Sequence, residues 1–333
     1  MKQNILVASL AAAMLSGCCT NTCCPIAGRS DSRANDPVIG NWSAKLPYES
    51  RYAGSLIFSR DENGVAKAFV LHRSGSPEWC SDVKVEGSQF SLRHPCGQLI
   101  RGTVSGEKME AEIVACNRDG RAKGAWRKFS GWRNTPACPF VSTKDAKFGE
   151  PIDLLKDGLK GWKSMNEKAK FGWVFENGVL SNKMGLKPNG KWAHGGANIM
   201  SLRDDFKDFN LEYDVRVPKD SNSGVYLRGR FECQVIDSFQ QPVNRHNMAA
   251  YYGRVTPVVA VEKAPGEWQH VSVTLYKRHM TVVLNGVTII EDAEITGVTG
   301  GAIDADIDAA GPIYLQGDHS DADFRNMILR PAL

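Results

Sequence analysis

Short runs in which apolar and polar residues alternate dominate the chain, and sustained helical periodicity is scarce. The most informative run is residues 221–237. Val225 and Leu227 alternate with Tyr226 and Arg228, and then Phe231, Cys233 and Val235 alternate with Glu232 and Gln234. A period of two packs one face of a strand and leaves polar groups on the other, so two strands are predicted around a turn containing Gly229. A three-residue connection over 229–231 sets Arg228 opposite Glu232 and Tyr226 opposite Gln234. A two-residue connection splits Arg228 and Glu232 between faces. In the first register Arg228, Glu232 and Gln234 share a face with Asp237 at its exit, a polar floor suited to a sugar or a carboxylate. A solvated outer face with one cross-strand ion pair fits the same pattern.

Similar runs occupy both flanks. Over 36–133 short strands are expected at 54–58, 66–71, 82–85, 89–92, 102–104 and 109–114, with Asn63-Gly64 as a turn. Regular short strands of this kind predict a small antiparallel β-barrel or sandwich as an accessory domain. Residues 134–149, with Thr135-Pro136-Ala137-Cys138-Pro139, read as a linker. Strands are then expected at 173–175, 178–180, 209–217, 269–276, 281–284 and 313–316. Asn285-Gly286, between apolar runs, is the strongest local hairpin signal. The expected fold class is all-β, with a lectin-like jelly-roll sandwich over 150–333.

Composition narrows the function classes. A chain of 333 residues accommodates two domains. Its 41 basic and 37 acidic residues nearly balance, and no basic block is interleaved with aromatics, which argues against nucleic acid as a partner. Lys2, the apolar run 5–15 and Leu15-Ser16-Gly17-Cys18 form a short export signal over 1–17 that ends in a lipobox. Cys18 is therefore the expected lipidation site and 18–35 a tether, giving an exported lipoprotein on a periplasm-facing membrane of the cell envelope. Beyond that segment no apolar stretch is long enough to span a bilayer. An oxidising compartment permits disulfides among Cys80, Cys96, Cys116 and Cys138, whose pairing spacing does not decide. Cys233 alternates towards the core.

Several motifs then occur in a fixed order. Leu154-Leu155-Lys156-Asp157-Gly158 leads to Gly161-Trp162, and Trp173 to Leu180 is similar to Trp-x-Val-x-x-Gly-x-Leu, with Phe175 at the Val position. Asn222-Ser223-Gly224-Val225 leads to Leu227-Arg228-Gly229 and Glu232-x-Gln234-x-x-Asp237. Ala250-Tyr251-Tyr252-Gly253, Gly266-Glu267-Trp268, Leu284-Asn285-Gly286 and Gly311–His319 follow. This set resembles the bacterial 3-keto-disaccharide hydrolase domain family across nearly all of 150–333. Lys156 and Gln269 depart from the usual pattern. The resemblance implies a concanavalin-like jelly roll acting on glycosides whose C3 hydroxyl has been oxidised to a ketone.

That chemistry needs a base for the C2 proton, a group at the C3 oxygen and an acid for the leaving oxygen. The resemblance and the alternation nominate Glu232, Asp237 and His319 for acid–base work. Tyr226, Arg228, Gln234, Tyr252, Trp268, Gln316 and Asp318 are the nominated substrate contacts. His194 and His246, with Glu232, Asp237 or His319, offer donors for a divalent metal that polarises the ketone, although their spacing specifies no geometry. No nucleotide signature is present, so oxidation is expected on a separate sugar 3-dehydrogenase. The alternatives are a non-catalytic carbohydrate-binding lipoprotein and an ordinary glycoside hydrolase, which needs two carboxylates at a set separation.

Overall fold

The computed structural model describes residues 36–48, 52–72, 74–117 and 121–333. The expected signal segment, Cys18 and the tether lie outside the described residues. Among the described residues helix is limited to two 3-10 turns, Thr143–Asp145 and Gly158–Gly161, and the protein is all-β.

Nine antiparallel strands between Gly40 and Arg133 form the first sheet. Its path starts at Glu78–Trp79 and ends at Ser81–Glu86, yet only Cys80 separates those two strands in the chain. Cys80 therefore joins the two ends of the path, and the sheet curls on itself as a barrel. Trp42, Leu56, Phe58, Phe90, Ile100 and Ile113 fill its interior.

Two further antiparallel sheets make the jelly-roll sandwich. One runs in the order Trp173–Glu176, Val179–Asn182, Ala322–Pro331, Phe209–Arg216, Gln269–Tyr276, His279–Leu284 and Val287–Glu294. The other runs Trp162–Ser164, Ile199–Ser201, Tyr314–Leu315, Asn222–Leu227 and Phe231–Ile236. Alternation orients both. Leu211, Val215, Val271, Val273 and Phe324 from the first join Ile199, Val225, Leu227, Cys233, Val235 and Leu315 from the second in one core. Burying each large apolar side chain contributes about 1.5–3 kcal/mol, so this alternation fixes which face is left for chemistry. Asn285 and Gly286 both take positive φ, 51° and 84°, as the expected tight hairpin demands.

The hairpin at 222–236 departs from the expected register. Leu227 pairs with Phe231, Tyr226 with Glu232 and Gly224 with Gln234, so the three-residue turn is 228–230, one position earlier. Arg228 and Gly229 carry φ of 54° and 67° there. Tyr226, rather than Arg228, thus faces Glu232. Arg228 instead turns inward. Its Nη2 donates to the Ile307 carbonyl at 2.9 Å and its guanidinium lies 4.9 Å from the Phe231 ring centroid.

The barrel touches the sandwich through named contacts. Ser43 Oγ donates to the Ala305 carbonyl (2.6 Å), Arg254 Nη2 to Ser55 Oγ (2.5 Å), and Arg245 pairs with Glu78 (2.9 Å). Ser76 Oγ lies 2.6 Å from His246 Nε2. Gly75 packs so closely on Gly300 that a Cβ on Gly300 would fall 2.2 Å from the Gly75 carbonyl oxygen.

Candidate active site

Because Val225, Leu227, Cys233 and Val235 point into the core, Gly224, Tyr226, Glu232 and Gln234 share the opposite face of the smaller sheet. Tyr314 pairs with Tyr226 on the neighbouring strand, and their rings stack at 4.1 Å and 11°. Gln316 follows two residues on, its backbone N–H bonded to the Gly224 carbonyl. These residues form the floor.

Glu232 is its centre. Its side chain is 3 % exposed, and Tyr226 Oη lies 2.8 Å from its Oε2 and 2.7 Å from the Gly300 carbonyl. Burial pushes the Glu232 carboxyl up to about 8, the Tyr226 hydrogen bond opposes that rise, and the charge of Asp318 adds to it. A fully buried Tyr226 is likewise raised well above its ordinary value, mainly by desolvation. The segment 299–301 packs over this pair: Thr299 Oγ1 accepts from the Glu232 N–H at 3.0 Å, and Gly301 lies against the Tyr226 hydroxyl.

Asp318 and His319 stand at the edge of the floor. Asp318 Oδ1 is 2.5 Å from His319 Nδ1. A proton on Nδ1 then donates to the carboxylate, leaving Nε2 as the acceptor. His194 meets the His319 ring edge-on at 5.7 Å. Gln316 Oε1 is buried, and among the described residues it has no hydrogen-bond partner. Gln234 is buried on the same face, but its Oε1 accepts from the Val235 N–H. Tyr252 is tied to the floor through its N–H to the Glu232 carbonyl, and its ring packs on His246 at 5.2 Å.

Three nominated residues fall elsewhere. Arg228 is a buried turn residue. Asp237 accepts from the Asp220 and Phe239 N–H groups and holds the open end of the hairpin, five residues from Glu232, on the order of 17 Å along a strand. Trp268 lies between the guanidinium groups of Arg325 (4.1 Å) and Arg216 (4.7 Å), next to the outward-facing His270 of the other sheet. Of the histidines expected to share an ion, His194 lies against His319, and His246 lies with Ser76 and Tyr252. Sequence reasoning missed Tyr314, Asn198, which bridges the Tyr314 hydroxyl and the Gly317 N–H, and the 299–301 segment. Tyr314 was available from its period-two relation to Gln316 and Asp318; the others depend on long-range packing. A depression of 740 Å³ on the barrel, lined among others by Lys84, Glu86, Arg101 and Glu112, shares no residue with this floor.

The smaller sheet of the sandwich thus presents a buried acid, Glu232, on its polar face and an oriented imidazole, His319, at the edge of that face. The sequence model of the 3-keto-alpha-glucoside-1,2-lyase-like domain matches residues 151–330, and the chain belongs to that family, a glycoside-cleaving one. No curated protein shows significant sequence similarity to the chain. Among solved structures, a protein of Parabacteroides distasonis provisionally described as a glycosyl hydrolase is 22% identical, with 60% of this chain and 94% of that chain covered and a TM-score of 0.42. The carbohydrate-binding module CBM66 of Bacillus subtilis is 14% identical over 51% of this chain and 95% of its own, with a TM-score of 0.32. Beta-agarase B of Zobellia galactanivorans is 11% identical over 56% and 94%, with a TM-score of 0.36.

Proposed function

We propose that residues 150–333 cleave 3-keto-glycosides by removing the C2 proton and expelling the C1 substituent. The supporting observation is a carboxylic acid that keeps its proton at neutral pH, Glu232, in the electrostatic reach of an Asp318–His319 pair whose outer ring nitrogen is an acceptor. In this reading His319 Nε2 takes the C2 proton and the electron pair passes to the C3 oxygen as an enolate. As the C3 carbonyl re-forms, the C1–C2 double bond forms and the C1–O bond breaks, and the leaving oxygen takes a proton from Glu232. Water adding at C1 gives the hydrolytic product; without it the enone is released. Gln316, with its unpartnered buried oxygen, accepts from a sugar hydroxyl. Since Glu232 is 3 % exposed, the 299–301 segment must yield as the sugar enters.

The C3 ketone has to come from an oxidation, so an upstream sugar 3-dehydrogenase is the proposed pathway partner. Export and anchorage through an acylated Cys18 are proposed with it. No step is assigned to a divalent ion or to a nucleotide. The test is a paired cleavage assay on an intact glucoside and its 3-keto form, with and without chelator. Release of aglycone from the keto form alone supports elimination. Equal cleavage of both points to an ordinary glycosidase, and binding without cleavage to a lectin. Loss of activity with chelator adds a metal.

A further inference from the structure

We infer that the barrel carries a transition-metal site of its own, formed by His72, His94 and Cys96 and suited to a borderline ion of the Zn2+ class. The three residues leave the ends of strands that lie far apart along the sheet path. His72 follows Ala66–Leu71, next to one edge strand, and His94 and Cys96 follow Gln89–Arg93, next to the other. Closure of the barrel brings those ends together, so the site straddles the seam.

The donor atoms already converge. One ligand atom from each residue lies within 4.8 Å of the other two. Cys96 Sγ is 2.9 Å from His94 Nδ1 and 3.4 Å from His72 Nε2. A tetrahedral zinc with nitrogen at about 2.0 Å and sulfur at about 2.3 Å sets sulfur and nitrogen roughly 3.5 Å apart, so the two separations from Cys96 Sγ need change only by tenths of an ångström. The outer contacts also suit ligation. His94 Nε2 lies 3.2 Å from the Val70 carbonyl, so the ring donates there and presents Nδ1 inward, the usual way a second contact fixes a ligand histidine; that Nδ1 accepts from the Cys96 N–H at 3.2 Å, a bond that an ion would replace. His72 and His94 are buried with ring centroids 4.1 Å apart, whereas Cys96 is exposed. Ions can enter past the thiol, and three protein donors leave a fourth position for water. One thiolate and two imidazoles select zinc-type ions over magnesium or calcium, which require oxygen donors.

The site also has a structural consequence. His72 and Glu78 bracket the loop in which Ser76 contacts His246 and Gly75 packs on Gly300, the residue that accepts from Tyr226. An ion at the seam fixes the root of that loop. The competing fate of the thiol is a disulfide with Cys80, which lies near enough for each charge to bear on the other; both are thiols here.

The experiment uses the full chain, purified without chelator and loaded in turn with Zn2+ and Co2+. About one equivalent of Zn2+ is expected, together with thiolate-to-cobalt charge-transfer absorption in the Co2+ form. Cys96→Ser, at an exposed position, should lose that absorption and bind Zn2+ more than about 100-fold more weakly, exceeding the loss typical of an outer contact. His94→Gln should weaken binding with an unchanged far-ultraviolet dichroism spectrum. Equal metal loading in wild type and Cys96→Ser overturns the proposal. So does a Cys80–Cys96 disulfide found by mass spectrometry of the unreduced protein.

Discussion

The Tyr226 hydroxyl lies 2.8 Å from Glu232 Oε2 and 2.7 Å from the Gly300 carbonyl, with one proton for two acceptors. When Glu232 is protonated, its own O–H donates to Tyr226 while Tyr226 donates to Gly300, and every group is satisfied. When Glu232 ionises, Tyr226 has to turn to the carboxylate and Gly300 loses its donor. The hydrogen-bond geometry and the burial therefore favour the same protonation state.

Stability should report that preference. The folded carboxyl is raised to about 8, above its unfolded value near 4.5. The folded state thus binds the extra proton between these limits, and its contribution is complete below about 4.5 and is lost as pH rises through about 8. Glu232→Gln removes the titration and keeps the shape. Its melting temperature should match wild type near pH 4 and exceed it by a growing margin up to about pH 8, corresponding to several kcal/mol at most, roughly 1.4 kcal/mol per pH unit. Parallel melting curves at all pH values would show an ordinary carboxyl.

The Asp318–His319 pair and Gln316 should separate kinetically. His319→Ala removes the proposed base and is expected to lower kcat on a 3-keto-glycoside by about 10²–10⁴ with little change in KM. Gln316→Ala removes a floor contact made by substrate and transition state alike, so KM should rise while kcat holds. Steady-state kinetics of both variants on one substrate decide this. A His319→Ala effect confined to KM would place the imidazole in binding alone.

The same residues show how far the sequence could be read. Alternation alone oriented Val225, Leu227, Cys233 and Val235, because a period of two leaves no other face for them, and Asn285-Gly286 announced its own turn. The 222–236 register slipped because Arg228 takes positive φ, which an arginine does not signal. That one-residue difference exchanged Arg228 for Tyr226 as the partner of Glu232. Trp268 carries no mark of which sheet it joins; only its stacking between Arg216 and Arg325 shows that. Thr299, Gly300 and Ser76 reach the site across long chain separations, and no local pattern encodes such contacts.

Arg228 should prove structural. Burial lowers its guanidinium to about 10, and its Nη2 holds the Ile307 carbonyl. Arg228→Ala opens a cavity against Phe231 and leaves that carbonyl unpaired, which should cost about 2–4 kcal/mol. In chemical denaturation the midpoint should fall, while kcat measured well below the transition is retained. Full stability with lost turnover would return Arg228 to the substrate.

Gly224 tests whether Glu232 lies where the structure puts it. A Cβ at Gly224 would come within 2.5 Å of Glu232 Oε1 and 3.1 Å of its Cδ, and the φ there needs no glycine. Gly224→Ala should therefore displace the carboxyl from Tyr226 and lower stability by about 1–3 kcal/mol, as overpacking does. The clash disappears if the carboxyl is removed, so Gly224→Ala should cost much less in a Glu232→Ala background. A double-mutant cycle by denaturant unfolding should give a coupling of about 0.5–3 kcal/mol. Additive losses would mean that the carboxyl does not rest on Gly224, and the Tyr226–Glu232 contact would fall with it.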